Sequence, residues 1–207
     1  MIVEGSDDLF SVVGIMRAHI QWPDGKEHRP VEIEIGKSAE EILEPGYVTG
    51  KLKGRELRTL GVMFDANGNP KGRYERLRRS CLGLFPDMPE ELPKTGLVLE
   101  NGDQKRFGVW IMPDNIATGE LETFLRYLVP DLSEPIWKYA AECVTTARDL
   151  GAECRETHIP KARLYTWLAW QDPPGYSPGI ALTKKILDPH SPHASIFVAW
   201  FRDLYQL

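Results

Sequence analysis

Glu4 and Asp65 are the two residues of this chain with the clearest chemical potential. Each stands at the end of a short apolar run that then turns: Ile2-Val3-Glu4-Gly5 at the start and Gly61-Val62-Met63-Phe64-Asp65 some sixty positions later. In a parallel α/β sheet, residues just past the carboxyl ends of the strands face one common crevice. Two carboxylates far apart in sequence can meet there. With more acids nearby, the pair suits a hard divalent cation such as Mg²⁺ or Mn²⁺, which takes oxygen ligands.

The elements that must position them follow from periodicity. Met1–Val3 reads as strand one, and a helix is expected from about Asp8 to Ala18, with Ser6 and Asp7 as N-cap types. Gln21–Glu27 carries the turn signal Pro-Asp-Gly. Val31–Ile35 alternates strictly and predicts strand two. Ser38-Ala39-Glu40-Glu41 opens a short helix, and Lys51–Leu57 reads as a further helical stretch. Thr59–Phe64 is a continuous apolar run of the buried parallel type. A helix over Lys71–Leu84 follows, and then a Pro-rich loop. Next comes a hairpin pattern, Leu97–Glu100 and Arg106–Met112 around Asn101-Gly102. Gly119–Leu128 and Glu134–Leu150 are amphipathic helices, and the last fifty residues read as helical around the connector Gln171–Gly179. The strand–helix alternation predicts an α/β fold: a mostly parallel sheet flanked by helices, with a β-hairpin and a helical C-terminal segment. The expected division is an α/β domain over 1–128 and a helical extension over 129–207 packed on it. Trp167, Trp170, Phe197, Trp200 and Phe201 are expected to cover one face or end of the sheet.

Composition narrows the function classes. At 207 residues, with 42% hydrophobic and 27% charged side chains, the chain can bury a sizeable core. No apolar run reaches the roughly 20 residues needed to span a bilayer, and strand-like sequence begins at Ile2, which leads us to expect a soluble, cytoplasmic protein without membrane contact. The net charge of −5 is not the footprint of a protein that grips nucleic acid through a basic surface, so any such contact is expected to be weak. The three cysteines, Cys81, Cys143 and Cys154, match neither a zinc nor a redox spacing, and His190 and His193 sit in a turn rather than a ligand pattern.

A strand ending in Glu-Gly, followed much later by a strand ending in Asp-x-Asp, resembles the signature of Toprim domains. These occur in topoisomerases, primases, recombination proteins and nucleases of the overcoming-lysogenization-defect type. The matching strings are Val3-Glu4-Gly5 and Phe64-Asp65-Ala66-Asn67. The longer text looks like a small prokaryotic family of unknown function with a Toprim-like fold. Trp110–Asn115, Gly119–Phe124, Lys161-Ala162 and Thr166–Gln171 carry that likeness. The resemblance implies a Mg²⁺- or Mn²⁺-dependent hydrolase of phosphodiester or phosphate bonds, a nuclease by type. Glu4 would be the proton-transfer group and Asp65 a metal ligand. Asn67 stands where the second aspartate belongs; its amide oxygen can ligate but brings no charge. Asp114 or Glu122 would then restore the missing carboxylate, and Asp8 would be an outer ligand. The same departure supports a second reading: a catalytically silent module working with a separate partner such as an ATPase.

Each candidate also has a plain structural role open to it. Glu4 can face a helix N-terminus, and Asp65 can cap the turn before the Lys71 helix. Asp114-Asn115 can form an Asx turn, and Asp7, Asp8 and Glu122 are acids expected in first helical turns. Lys161 can be a solvated lysine near a helix start, or can stabilise charge on a transferring phosphoryl group. Lys51, Lys53, Arg55, Arg58, Arg76 and Arg79 can form a phosphate-facing patch or a solvated surface.

Overall fold

In a computed structural model that describes every residue except 26 and 27, the two apolar runs lie side by side. Strands β1 (Ile2–Val3), β2 (Glu34–Ile35), β3 (Thr59–Asp65), β4 (Leu97–Glu100) and β5 (Arg106–Met112) form a five-stranded sheet in the order β2-β1-β3-β5-β4. All pairings are parallel except the hairpin β4–β5. β3 and β5 pair over their whole length, from Thr59 opposite Arg106 to Asp65 opposite Met112.

Strand alternation sorts the side chains onto two faces. Val3, Met63, Trp110 and Met112 enter one core, with helices α1 (Ser6–Arg17), α5 (Leu121–Arg126), α7 (Ile159–Leu168), α8 (Pro178–Thr183) and α9 (Pro192–Tyr205). Ile2, Val62, Phe64, Val109 and Ile111 enter the other, with α2 (Ala39–Ile42), α3 (Tyr47–Leu52) and α4 (Pro70–Cys81). Helix α6 (Glu134–Asp149) joins the first core through Trp137 and Ala140. The C-terminal aromatics cover the sheet as expected: Phe197, Trp200 and Phe201 are buried, and Trp110 meets Phe197 edge-on at 5.1 Å. Trp200 also donates its indole N–H to the Leu97 carbonyl at 3.0 Å, which ties α9 to the edge strand. Trp170 is the exception, half exposed and stacked on Tyr139.

Three local expectations need correction. The strand over Val31–Ile35 shrinks to Glu34–Ile35, because its partner β1 offers only Ile2 and Val3 for pairing. The helix over Lys51–Leu57 lies upstream at Tyr47–Leu52. There Val48 and Leu52 bury on one side, and Gly46 takes the left-handed backbone (φ 93°) at its N-cap. The hairpin turn is a five-residue loop, 101–105, built by the Asn101 side chain, which accepts from the N–H groups of Asp103 and Lys105. In the expected turn over 21–27, Asp24 and Gly25 bend, while 26 and 27 lie outside the described residues.

The helix that carries Asp7 and Asp8 is fixed by a close crossing with α8. A Cβ added at Gly14 would lie 2.9 Å from the Gly179 carbonyl, and one at Gly179 would lie 2.6 Å from Cβ of Phe10. Both contacts are tighter than packed atoms allow. Gly14→Val is therefore expected to cost about 1–3 kcal/mol through overpacking. A lowered urea midpoint with an unchanged slope checks this; an unchanged midpoint would contradict it.

Candidate functional site

Strand order reverses direction between β1 and β3: the chain moves from β1 outward to β2, then returns to add β3 on the other side. Such a switch point leaves a crevice at the carboxyl ends of the two strands. Glu4 follows β1 and Asp65 ends β3, so the fold delivers both to that crevice. The Asp65 N–H donates to Glu4 Oε1 at 2.7 Å. This bond links the two motifs directly, across 61 positions of sequence.

Helix N-termini converge on the same place. Asp8, in the first turn of α1, accepts the Gly5 N–H on Oδ2 at 3.0 Å and is buried. Its other oxygen, Oδ1, is buried without a hydrogen-bond partner. Asp65 Oδ1 accepts the N–H of Leu121, the first residue of α5, at 2.9 Å. Glu120 is the N-cap of α5, and its Oε1 is likewise buried and unpartnered. Glu122, in the first turn of the same helix, is buried and ion-pairs with Lys161 at 3.5 Å. Lys161 Nζ also reaches Asp7 Oδ2 at 3.1 Å, and the Tyr165 hydroxyl donates to that oxygen at 3.2 Å. Across the crevice, Arg73 donates to the Asp65 carbonyl at 2.9 Å, with its guanidinium 4.0 Å from Glu4 Oε1.

Crowding of carboxylates in a largely buried site raises their affinity for protons. Burial pushes Asp65 up to about 9, with the charges of Glu4, Asp8, Glu122 and Glu120 adding to it. Burial, then Glu4, raises Asp8 to about 7. Burial, then Glu122, raises Glu120 to about 7. Glu4 is raised as well, mainly by burial, although the backbone N–H groups of Asp65 and Ala39, and then Arg73, hold it down in part. Lys161 is partly buried, which lowers its affinity for the proton, but its hydrogen bond to Asp7 and the charge of Glu122 outweigh this and raise it. Like-charged acids in low dielectric keep protons that isolated ones lose.

The residues singled out in the sequence separate into two groups. Glu4, Asp65, Asp8, Glu122 and Lys161 are brought together. Asp114 lies past the end of β5, at the same end of the sheet, but its Oδ1 accepts the N–H groups of Ile116 (3.1 Å) and Ala117 (2.7 Å) in an Asx turn. Its charge acts on Tyr127 rather than on Asp65. Asn67 is exposed, with a left-handed backbone (φ 49°). Its N–H and C=O pair with Gly119, at 2.7 and 2.8 Å, the residue just before Glu120. Asn67 thus pins the segment that carries Glu120 and Glu122, through its backbone rather than its side chain. The turn before α4 is capped by Asn69, not by Asp65. Of the basic candidates, Lys51, Arg76 and Arg79 are spent on Glu34, Glu40 and Glu75.

Sequence reading missed Glu120, Arg73 and Tyr165. Glu120 had a signal, since Glu-Leu-Glu places two acids at one helix start. Arg73 and Tyr165 had none, because their roles depend on how α4 and α7 pack.

The donor set is all carboxylate oxygen, which suits a hard divalent cation, and two of its buried oxygens lack partners. As placed, the side chains do not close around an ion: among the described residues, no group of three or more His, Cys, Asp or Glu is arranged to hold one. No helix among the described residues is long and apolar enough to cross a membrane. Searches of curated proteins and of solved structures returned no significant match. A family profile does match, over residues 1–206, and on that extent the chain belongs to the DUF3226 family, described as a protein of unknown function.

Proposed function

We propose that this chain is a Toprim-like, Mg²⁺- or Mn²⁺-dependent hydrolase of phosphodiester bonds. The observation that carries the reading is the pair of buried, unpartnered carboxylate oxygens, Asp8 Oδ1 and Glu120 Oε1, among acids that converge with Asp65 at the β1/β3 switch point. Burying such atoms without a partner costs free energy, so their retention is better explained by a ligand than by folding. Asp65, Asp8 and Glu120 would hold the ion. When bound, it supplies charge neutralisation and Lewis acidity at the phosphate oxygens.

The chain's own residues then divide the remaining work. Glu4, fixed by the Asp65 N–H and raised by burial, exchanges a proton nearer neutrality than an exposed glutamate does. Lys161, held by Asp7 and Glu122, presents a fixed ammonium to a negatively charged phosphoryl group at the rim. Arg73 balances part of the negative charge behind Glu4. The five-stranded, mostly parallel sheet is compatible with a Toprim-like fold, and the Glu4 and Asp65 strings stand on adjacent strands.

The test is cleavage of labelled single- and double-stranded DNA and RNA in Mn²⁺, with wild type, Asn67→Asp and Glu4→Gln compared. Metal-dependent cleavage in wild type is the expected result. Because Asn67 is exposed and works through its backbone, Asn67→Asp is expected to change the rate by less than about threefold, within the range of a substitution remote from the chemistry. A total lack of cleavage on all substrates would favour the second reading, a silent module acting with a separate partner such as an ATPase. The observation on that side is the lack of a preformed three-ligand set among the described residues.

A further inference from the structure

Two adjoining cavities run along the outer side of α7 and the chain before it. The first, about 520 Å³, is lined by Cys154, His158, Lys161, Ala162 and Tyr165. The second, about 500 Å³, shares Cys154 and carries Arg148 and Arg155. The first opens beside the acid pocket: its Lys161 and Tyr165 both bond to Asp7, the residue before Asp8. Tyr165 is 37% exposed, and its hydroxyl is tethered, so its ring is held in a set orientation at the cavity wall. Arg148 and Arg155 are exposed and make no ion pair among the described residues. Asp149 and Glu153 line the second cavity beside them.

We propose that these cavities bind a single strand of nucleic acid, with one unpaired base stacked on Tyr165 and its phosphates at Lys161, Arg155 and Arg148. The strand path leads to the acid pocket, and in that respect it rests on the hydrolase reading above. A tethered aromatic ring in a cavity with Lys161, adjoining one with Arg148 and Arg155, offers an unpaired nucleotide both contacts it uses: every base has a π-face, and every linkage has a charge. In a duplex the base faces are already stacked on each other and cannot reach Tyr165. With a net charge of −5 the whole molecule gives little long-range attraction, so affinity comes from the stack and a few phosphates. The salt dependence of binding is accordingly shallow.

The experiment is fluorescence anisotropy with a labelled oligothymidylate, a labelled oligouridylate and the thymidylate strand annealed to its complement, in EDTA and again in Ca²⁺. Wild type is expected to bind both single strands at least about tenfold more tightly than the duplex, and Tyr165→Leu to weaken single-strand binding by about tenfold. Tyr165→Phe, which keeps the ring and loses the tether to Asp7, is expected to weaken binding by less than Tyr165→Leu does. Equal affinity for duplex, no binding to any probe, or full binding by Tyr165→Leu would each overturn the proposal. The two readings fail separately. Strand binding without Mn²⁺-dependent cleavage removes the hydrolase and leaves the strand path. Cleavage that is indifferent to Tyr165→Leu and to strandedness removes the strand path and leaves the hydrolase.

Discussion

Replacing Asp65 with asparagine is expected to stabilise the metal-free protein and, on the proposed function, to abolish metal-dependent cleavage. In the folded chain Asp65 holds its proton up to about 9, against an ordinary value of 3.8. Between those two pH values the folded state binds a proton that the unfolded state has released. Stability from this group is therefore fully present below about pH 4 and is lost as pH rises toward 9. Asp8 and Glu120, both raised to about 7, slope the same way over a narrower window. An amide at position 65 can still accept the Leu121 N–H and has no charge to desolvate. In EDTA at pH 8, Asp65→Asn should gain roughly 1–3 kcal/mol, or about 2–10 °C in Tm. At pH 5 the gain should shrink, because wild type keeps the proton there. Melting curves at both pH values decide the matter. A variant less stable than wild type at pH 8 would mean that the acids are held charged by compensation not accounted for in the site as described.

The second large effect is expected at Glu4. Its carboxylate takes the Asp65 N–H, and Glu4→Gln can preserve that acceptor through its amide oxygen. On the proposed function, fold and metal affinity should therefore change little, while proton transfer is lost. General acid–base groups contribute typically about 10²–10⁴-fold, so the single-turnover rate in Mn²⁺ should fall by that factor. The pH profile should also lose the limb that Glu4 governs. An undiminished rate in Glu4→Gln would remove Glu4 from the proton-transfer role and leave it a purely structural partner of β3.

Much of the scaffold was legible in the residues themselves. Thr59–Phe64 and Arg106–Met112 are long, apolar and β-rich, and both strands appear within a residue of their expected bounds. Short elements were less legible. Val31–Ile35 alternates well, yet its length as a strand is set by a two-residue neighbour that no local pattern reveals. The site divided along similar lines. Glu4 and Asp65 could be paired because strand ends share a crevice in any parallel sheet. Asp114 follows a strand in the same way, but in an Asx turn its carboxylate accepts the N–H groups of Ile116 and Ala117. Spacing does not show that choice. Asn67 looked like a weakened ligand; its left-handed backbone and its pairing with Gly119 give it a different role. Glu120 was overlooked because an acid at a helix start is ordinary, and only packing shows that one of its oxygens is buried and that its charge acts on Asp65.

The central claim is that the acid pocket at the β1/β3 switch point takes a divalent cation, and the most direct test is Mn²⁺ binding followed by electron paramagnetic resonance. Wild type should bind Mn²⁺ with an affinity that rises from pH 6 to pH 8, because the ion must displace the protons held by Asp65, Asp8 and Glu120. Mg²⁺ should compete for the same site, and Asp65→Asn should abolish binding. Mn²⁺ that binds Asp65→Asn as well as it binds wild type, or does not bind the wild-type chain at all at millimolar concentration, would contradict the account.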